Sequence, residues 1–378
     1  MDRGIVQNGL RGVVAAETAL SEVDGEAGQL VIRGFPLEEI APNAAFEEVI
    51  MLLTTGELPT GEEKESIKRQ LASYRELPDV TLYLLRDAAA AGIPAMDALR
   101  MAVGTLSLTE SGESDLSAAL PIIAQFPVIV ATYYRLVQGK EVLPPRSDLG
   151  HVANYLYMMR GEVPGREEAR ALETYLNTVV DHGLNASTFT ARVITSTGSD
   201  LVSAITGAVG ALKGPLHGGA PGPALDMVFE IGEVDRAEEY LRAKIERGER
   251  LMGFGHRVYK VRDPRADVLA EAAKRLFAEE GDASLYELAT GVEKIALALL
   301  EEYKPGRNLQ TNVEFYTALL LHGAGLPTDL FTPTFAVSRM VGWIAHCFEQ
   351  RELGTIIRPE SVYNGLRDRT WREQLPSL

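Results

Sequence analysis

The sequence predicts a mainly α protein with one short β segment near the amino terminus. After residue 33, apolar residues recur three or four positions apart, as they do on one face of an amphipathic helix. No alternation of strands with helices runs through the chain, which disfavours a parallel sheet. Residues 12–33 instead form short runs around a Gly-containing turn, which is typical of extended segments. Ordinary helix lengths then give about fifteen to twenty helices.

Several predicted helices have recognisable ends as well as the right periodicity. Asp263-Pro264 supplies a cap residue and a first-turn proline for a helix that runs to about Ala278. SLYELATGVEKIALALLEEY repeats its apolar residues at helical spacing, and LVSAITGAVGALK does the same. Thr332-Pro333 opens the helix that contains TFAVSRMVGWIAHCFEQ.

Charge and cysteine content restrict the partners and the compartment. The formal net charge is −16, so the surface as a whole repels nucleic acid and anionic membranes. An anionic ligand would therefore need a local cluster of positive charge. Cys347 is the one cysteine, which excludes an intrachain disulfide, and no apolar run is long enough for a signal peptide or a membrane span. We expect a cytoplasmic protein.

Two histidines lie in glycine-rich connections between predicted helices. His217 is in KGPLHGGAPGPALDMV and His256 is in MGFGHRVYKVRDPRA, where small neighbours would let a ligand approach the backbone. Gly253 and Gly255 precede His256, and a basic cluster follows it, namely Arg257, Lys260, Arg262 and Arg265. In so acidic a chain, this cluster is a candidate pocket for phosphates or carboxylates. A polar loop histidine and a solvated run of surface ion pairs are the alternatives.

Glu314 begins a predicted helix in the stretch TNVEFYTALL. Thr311 and Glu314 match a capping box, in which the two side chains satisfy backbone N–H groups at the start of a helix. A carboxylate near a helix N-terminus is also favoured in its charged form, which suits a general base. The local sequence leaves both interpretations open.

Four further polar residues are candidates for a site. His182 and Asn185 lie together in DHGLNASTFTARV, a cluster that equally suits helix capping or a buried hydrogen-bond network. Arg339 interrupts an apolar helix, and Arg358 follows the last helix in IIRPES. Either arginine could bind a carboxylate in bidentate fashion or form an ordinary ion pair.

Five of these motifs, in this order and spacing, resemble the citrate synthase family: GPLHGGA, GFGHRVYKVRDPRA, NVEFY, FTPTFAVSR and IIRPES. GQLVIRGFPLEEIA and FEEVIMLLTTGELP resemble its amino-terminal region, so the resemblance covers essentially the whole chain. It implies a multi-helical homodimer with a large domain, 1–218 and 323–378, that forms the dimer. A smaller mobile domain, 219–322, would bind CoA and close over the substrates.

The resemblance also implies a reaction and its residues. The family condenses acetyl-CoA with oxaloacetate and hydrolyses citryl-CoA to citrate and CoA, with no metal and no cofactor beyond the CoA thioester substrate. Glu314 matches the position of the base that takes a proton from the acetyl methyl group. His217 matches the histidine that hydrogen-bonds the thioester oxygen, and His256 matches the one that polarises the ketone of oxaloacetate.

The remaining matches concern binding. Arg265, Arg339 and Arg358 match the arginines that hold the carboxylates of oxaloacetate, and Arg358 would come from the partner subunit. His182 and Asn185 would add contacts to oxaloacetate. The residues expected to meet CoA are Gly253, Gly255, Lys260, Arg262 and Lys304.

One position departs from the family, which usually has aspartate where this chain has Glu314. One extra methylene can move the carboxylate by about 1 Å, and such a misplacement can cost about a hundredfold in rate. Three alternatives to a citrate synthase remain open, and the departure at Glu314 supports only the second of them. They are a 2-methylcitrate synthase that uses propionyl-CoA, a non-catalytic CoA-binding relative, and a lyase that runs the cleavage direction.

Overall fold

A computed structural model describes residues 7–10, 12–108, 115–218, 221–256, 258–279, 283–367 and 369. These residues confirm the predicted fold class, with a small sheet first and helices thereafter. The sheet is antiparallel, in the order β1 (Ser21–Asp24), β2 (Gln29–Ile32) and β3 (Phe35–Pro36). Ser21 pairs with Ile32 and Asp24 with Gln29, so β1 and β2 form a tight hairpin.

The helices of the described residues are α1 (Leu37–Ile40), α2 (Phe46–Thr55), α3 (Gly61–Ser73), α4 (Asp79–Ala90), α5 (Ala95–Val103), α6 (Asp115–Val137), α7 (His151–Arg160), α8 (Arg166–Val179), α9 (Ala186–Ser196), α10 (Leu201–Leu212), α11 (Pro221–Ile231), α12 (Val234–Glu246), α13 (Pro264–Glu279), α14 (Ser284–Tyr303), α15 (Val313–Gly323) and α16 (Phe331–Leu353). α13 and α14 begin and end close to the predicted residues. α16 begins before Thr332-Pro333, because a 3₁₀ turn, Thr328–Leu330, runs directly into it.

Two long helices form the centre of the core. α16 is buried along most of its length and packs against α9, α10, α6 and α8. α6 is largely apolar and contains Pro121 and Pro127. By length and composition, Leu116–Val137 of α6 is the one described helix that could cross a membrane, but 83% of its apolar window is buried inside the protein. Such burial is typical of a helix in the core of a folded protein.

The helices between Pro221 and Gly323 pack chiefly on one another. α13 packs against α15, α12 against α14, and α11 against α15. α13 also packs along α8, so its first turn faces the other helices of the fold. This arrangement brings the amino-terminal turns of α13 and α15 close to the loop that follows α8.

Candidate functional site

His256 has one tautomer fixed by its own loop. The backbone N–H groups of Val258 and Tyr259 both donate to Nδ1 of His256, at 3.1 Å each. Because Nδ1 accepts, the proton of the neutral imidazole must be on Nε2. Burial and the charge of Arg265 lower the pKa of His256 to about 4, so the ring is neutral at pH 7. His256 therefore presents an N–H donor from Nε2.

Arg265 faces that donor. Nη2 of Arg265 lies 3.4 Å from Nε2 of His256, and a guanidinium nitrogen can only donate. The same side chain is held by Asp263, whose carboxylate accepts from Nε at 3.0 Å and from Nη2 at 2.8 Å. Two donors that face each other at this distance are satisfied by an acceptor that lies beside both nitrogens, within hydrogen-bond distance of each. The pair therefore suits an oxygen atom of an anionic or carbonyl ligand.

Asp263 also joins two helix starts. It accepts from the backbone N–H of Arg265 at the beginning of α13 and from that of Val313 at the beginning of α15. Burial opposes its ionisation, but the charge and hydrogen bonds of Arg265 hold the pKa of Asp263 below its ordinary value. Asp263 thus fixes Arg265 relative to the turn that carries Glu314.

Arg339 is a buried cation without a carboxylate partner among the described residues. Its side chain is 2% exposed, Nε donates to the carbonyl oxygen of Val179 at 2.7 Å, and the guanidinium stacks on the ring of Phe335. Burial lowers the pKa of Arg339 to about 10, and the nearby charge of Arg265 contributes to the shift. A desolvated guanidinium of this kind is a favourable place for an anion.

His182 lies beside these two arginines. Nε2 of His182 is 3.1 Å from the hydroxyl of Tyr259, and its ring meets the ring of His256 edge-on at 6.1 Å between centroids. Burial, followed by the charges of Arg265 and Arg339, lowers the pKa of His182 well below its ordinary value. The structure therefore brings His182, His256, Arg265 and Arg339 together, as the resemblance implies.

His217 is linked to this group through Arg339, whose charge, after burial, helps to lower the pKa of His217 to about 4. Nε2 of His217 is 2.7 Å from the hydroxyl of Ser187, which donates to Asn185 and accepts from the indole N–H of Trp343. Since Asn185 takes the one hydroxyl proton, His217 donates from Nε2 in this arrangement. If Ser187 turned its proton toward His217, Nδ1 would become the donor.

Glu314 lies in the first turn of α15, but it does not form the capping box that Thr311 and Glu314 suggest. Asn312 is the N-cap and accepts from the backbone N–H of Glu314 at 3.0 Å, whereas the Thr311 hydroxyl donates to Glu293. In the described part of the chain, the carboxylate of Glu314 has no hydrogen bond. Burial raises its pKa, and Arg265 is near enough to limit that rise.

Gly253 and Gly255 pack against the chain that leads into α15. Gly255 donates to Gln310, Asn312 donates to Gly253, and φ is +86° and +83° at the two glycines. A Cβ at Gly253 would lie 2.9 Å from Phe315, so this position requires glycine for close approach to the protein itself. The prediction that either glycine meets CoA stays a prediction.

Part of the basic cluster is less available to an anionic ligand than the sequence predicts. Arg262 forms ion pairs with Asp267 and Glu293, at 2.5 and 2.7 Å, so its guanidinium is already engaged by carboxylates. Lys260 is exposed and Lys304 is half-buried at the end of α14, and neither forms an ion pair within the described residues. Arg257 lies outside the described residues.

Two predicted ligand residues have other surroundings here. Asn185 caps α9 by accepting from the backbone N–H of Thr188, and its amide also lies 3.4 Å from the carbonyl oxygen of Gly183. Arg358 is exposed in the extended segment after α16 and contacts none of the other predicted site residues through a described hydrogen bond or ion pair. Within one chain, the site therefore lacks Arg358.

The residues that orient the site are not among those predicted from the sequence. Ser187 and Trp343 hold His217, Tyr259 contacts His182, and Asp263 holds Arg265. The sequence predicts Asp263 only as a helix cap. Arg265, two residues later in the first turn of the same helix, is the signal from which the Asp263–Arg265 ion pair could have been predicted. Among the described residues, no group of three His, Cys, Asp or Glu side chains could hold a metal ion. The prediction that no metal is needed remains untested.

Comparisons with known proteins identify the family of this chain. The sequence profile for "Citrate synthase, C-terminal domain" matches residues 9–360. The citrate synthase of Haloferax volcanii is 42% identical over 375 residues, 97% of each chain. The 2-methylcitrate synthase of Shewanella oneidensis is 38% identical and covers 96% of this chain and 95% of its own.

A solved structure shows the same fold with ligands named in its description. It is the ternary complex of citrate synthase from Thermoplasma acidophilum with carboxymethyl coenzyme A and oxaloacetate. Its TM-score is 0.87 at 30% identity, over 97% of this chain and 98% of that one. The chain belongs to the citrate synthase family and is an acyltransferase of that type.

Proposed function

We propose that the protein condenses acetyl-CoA with oxaloacetate and hydrolyses the product to citrate and CoA, without a metal or further cofactor. The observation that carries this proposal is the pair of donors formed by Nε2 of His256 and Nη2 of Arg265, which lie 3.4 Å apart without an acceptor that they share among the described residues. The ketone oxygen and one carboxylate of oxaloacetate would satisfy them. Arg339, buried without a carboxylate partner in the described chain, supports a second carboxylate contact.

The condensation needs a base, and we assign that role to Glu314. Its carboxylate has no hydrogen bond among the described residues, so its lone pairs are available to a C–H acid. Glu314 takes a proton from the acetyl methyl group, and the enol carbon attacks the ketone carbon of oxaloacetate. His256 donates its Nε2 proton to the oxygen that gains charge in that step. Water then cleaves the thioester, which releases citrate and the CoA thiol.

His217 would stabilise the thioester oxygen as the methyl proton leaves. An acetyl thioester is a very weak carbon acid, so the charge that develops on this oxygen requires a hydrogen-bond donor. The pKa of about 4 keeps His217 a neutral imidazole at pH 7. Donation from Nδ1 requires the Ser187 hydroxyl to turn from Asn185 toward His217. Ser187 thereby determines which nitrogen of His217 carries the proton.

The quaternary and domain arrangement forms part of the proposal. We place the large domain at 1–218 and 323–378 and the smaller, CoA-binding domain at 219–322, whose closure would exclude water. The mutual packing of α11 to α15 supports this division. The exposure of Arg358 supports a homodimer in which Arg358 reaches the partner's oxaloacetate. The expected compartment is the cytoplasm.

A 2-methylcitrate synthase is the second candidate, because a relative with that name is 38% identical over nearly the full length. The two activities differ by one methylene in the acyl group, worth about 1–3 kcal/mol in a hydrophobic pocket. Carboxylate, guanidinium and imidazole groups would act identically in both reactions.

Release of the CoA thiol, measured with purified protein, tests the proposal. Acetyl-CoA and propionyl-CoA are compared at equal concentration with oxaloacetate, and reactions without oxaloacetate measure simple hydrolysis. We expect oxaloacetate-dependent release that is faster with acetyl-CoA. Faster release with propionyl-CoA would favour the second candidate, and no release from folded protein would leave only a binding function.

A further inference from the structure

The β1–β2 hairpin contributes none of the site residues named above, yet it contacts both loops that carry the oxaloacetate histidines. One loop, residues 181–183, contains His182, and the other, of which residues 256 and 258–262 are described, contains His256. The hairpin touches the first loop near its base, at Ser21, and the second at its tip, residues 24–28.

Ser21 holds the His182 loop on both sides of the histidine. Its hydroxyl donates to Oδ2 of Asp181 at 2.5 Å and accepts from the backbone N–H of Gly183 at 2.9 Å. Asp181 is fully buried, so this bond is not exchanged with bulk water. The residues before and after His182 are therefore tied to one side chain of β1.

Gly25 contacts the His256 loop backbone to backbone. Its carbonyl oxygen accepts from the N–H of Lys260 at 2.8 Å, and a Cβ at Gly25 would lie 2.3 Å from the carbonyl oxygen of Val258. Val258 is also one of the two residues whose N–H groups hold Nδ1 of His256. The hairpin tip is therefore in close contact with the backbone at Val258, which helps to orient the imidazole of His256.

The tip is itself rigid. Oδ1 of Asp24 accepts from the N–H groups of Glu26 and Ala27, at 2.9 and 2.8 Å, which closes the turn. Gly28, with φ of +68°, would place a Cβ 2.6 Å from the side chain of Val261, so the contact continues along the loop. The tip and the loop are therefore in close contact at both Gly25 and Gly28.

We propose that the β1–β2 hairpin is a positioning element that sets the distance and orientation of His182 and His256 for oxaloacetate, with Gly25 as its principal contact. This inference rests on the proposed function, because it assumes that the two histidines bind oxaloacetate. It assigns a role to a segment that supplies no reacting group.

Gly25→Ala in the full chain tests the proposal, with Glu26→Ala as the matched control. Real Cβ contacts stay above about 3.0 Å, so the new methyl group must displace the Val258 carbonyl by at least about 0.7 Å. A shift near 1 Å can cost about a hundredfold in rate. We expect the KM and the calorimetric Kd for oxaloacetate to rise at least tenfold, while KM for acetyl-CoA changes less than twofold. Glu26→Ala, which alters one exposed side chain, should match wild type.

Ser21→Ala provides the second arm and decides the question if Gly25→Ala does not fold. It should also raise the oxaloacetate KM and Kd, because the His182 loop loses both bonds. Folded variants with unchanged oxaloacetate affinity and kcat would overturn the proposal. A purely structural role would lower the melting temperature and the activity toward both substrates together. If wild type did not condense the substrates, oxaloacetate binding alone would still separate the variants.

Discussion

Glu314→Asp and Glu314→Gln probe the residue in which this chain departs from its family. Aspartate shortens the side chain by one C–C bond, about 1.5 Å long. With the helix start fixed by Asn312 and Asp263, the backbone of α15 has little freedom to follow. We expect the carboxylate to withdraw by about 1 Å and kcat to fall about 10- to 100-fold, or about 1.4–2.7 kcal/mol. Glutamine removes the base and should cost about 10²- to 10⁴-fold.

Stability measurements separate lost chemistry from lost structure in these variants. Burial raises the pKa of Glu314 above its ordinary value of 4.5, so wild type loses folding stability as pH rises through the folded-state pKa. Glu314→Gln cannot ionise and avoids that loss. At pH 7 the glutamine variant should therefore melt no lower than wild type, and any advantage should disappear below about pH 4.

Thiol release and thermal unfolding, measured on the same preparations, decide between the interpretations. Normal turnover by Glu314→Gln would refute the assignment of Glu314 as the base. Turnover by Glu314→Asp that equals or exceeds wild type would show that the site is not adapted to the longer side chain. A glutamine variant that melts well below wild type at pH 7 would mean that the carboxylate stabilises the fold.

Two further predictions concern the surroundings of that carboxylate. In the pH profile of kcat/KM, activity should fall first through protonation of Glu314, because its pKa is raised above 4.5 while His217 and His256 have pKa values of about 4. An acid limb at or below pH 4.5 would contradict this assignment. Asp263→Asn should lower the free energy of unfolding, measured in urea, by about 3–5 kcal/mol, because it leaves Arg265 buried without a counter-charge. Asp267→Asn, the control, breaks an exposed ion pair and should lower it by about 0–1 kcal/mol. Equal losses would show that the burial of the Asp263 pair has no energetic consequence.

Sequence periodicity was sufficient for the fold class and for most helix ends, because these depend on residues close together in the chain. It was insufficient at the start of α15, where Thr311 and Asn312 are both good caps. Which of the two residues caps the helix depends on Glu293, eighteen residues before Thr311. Glu293 accepts a hydrogen bond from the Thr311 hydroxyl, and Asn312 is then the N-cap. The same Glu293 engages Arg262, so a partner distant in sequence made a predicted phosphate ligand into an internal ion pair.

The charges of the site favour a contribution from a second chain. Two guanidiniums of the described site, Arg265 and Arg339, are accompanied by two carboxylates, Asp263 and Glu314, while burial keeps His256 neutral. The buried carboxylate of Asp181 adds a third negative charge close enough to act on Arg339. Oxaloacetate would add two further negative charges to this largely desolvated group, which is unfavourable unless another cation accompanies it. Lys260 and Lys304, on this proposal, serve the CoA phosphates. Arg358 is exposed in its own chain and has no described ion pair, so the charge requirement supports its delivery to the partner's site.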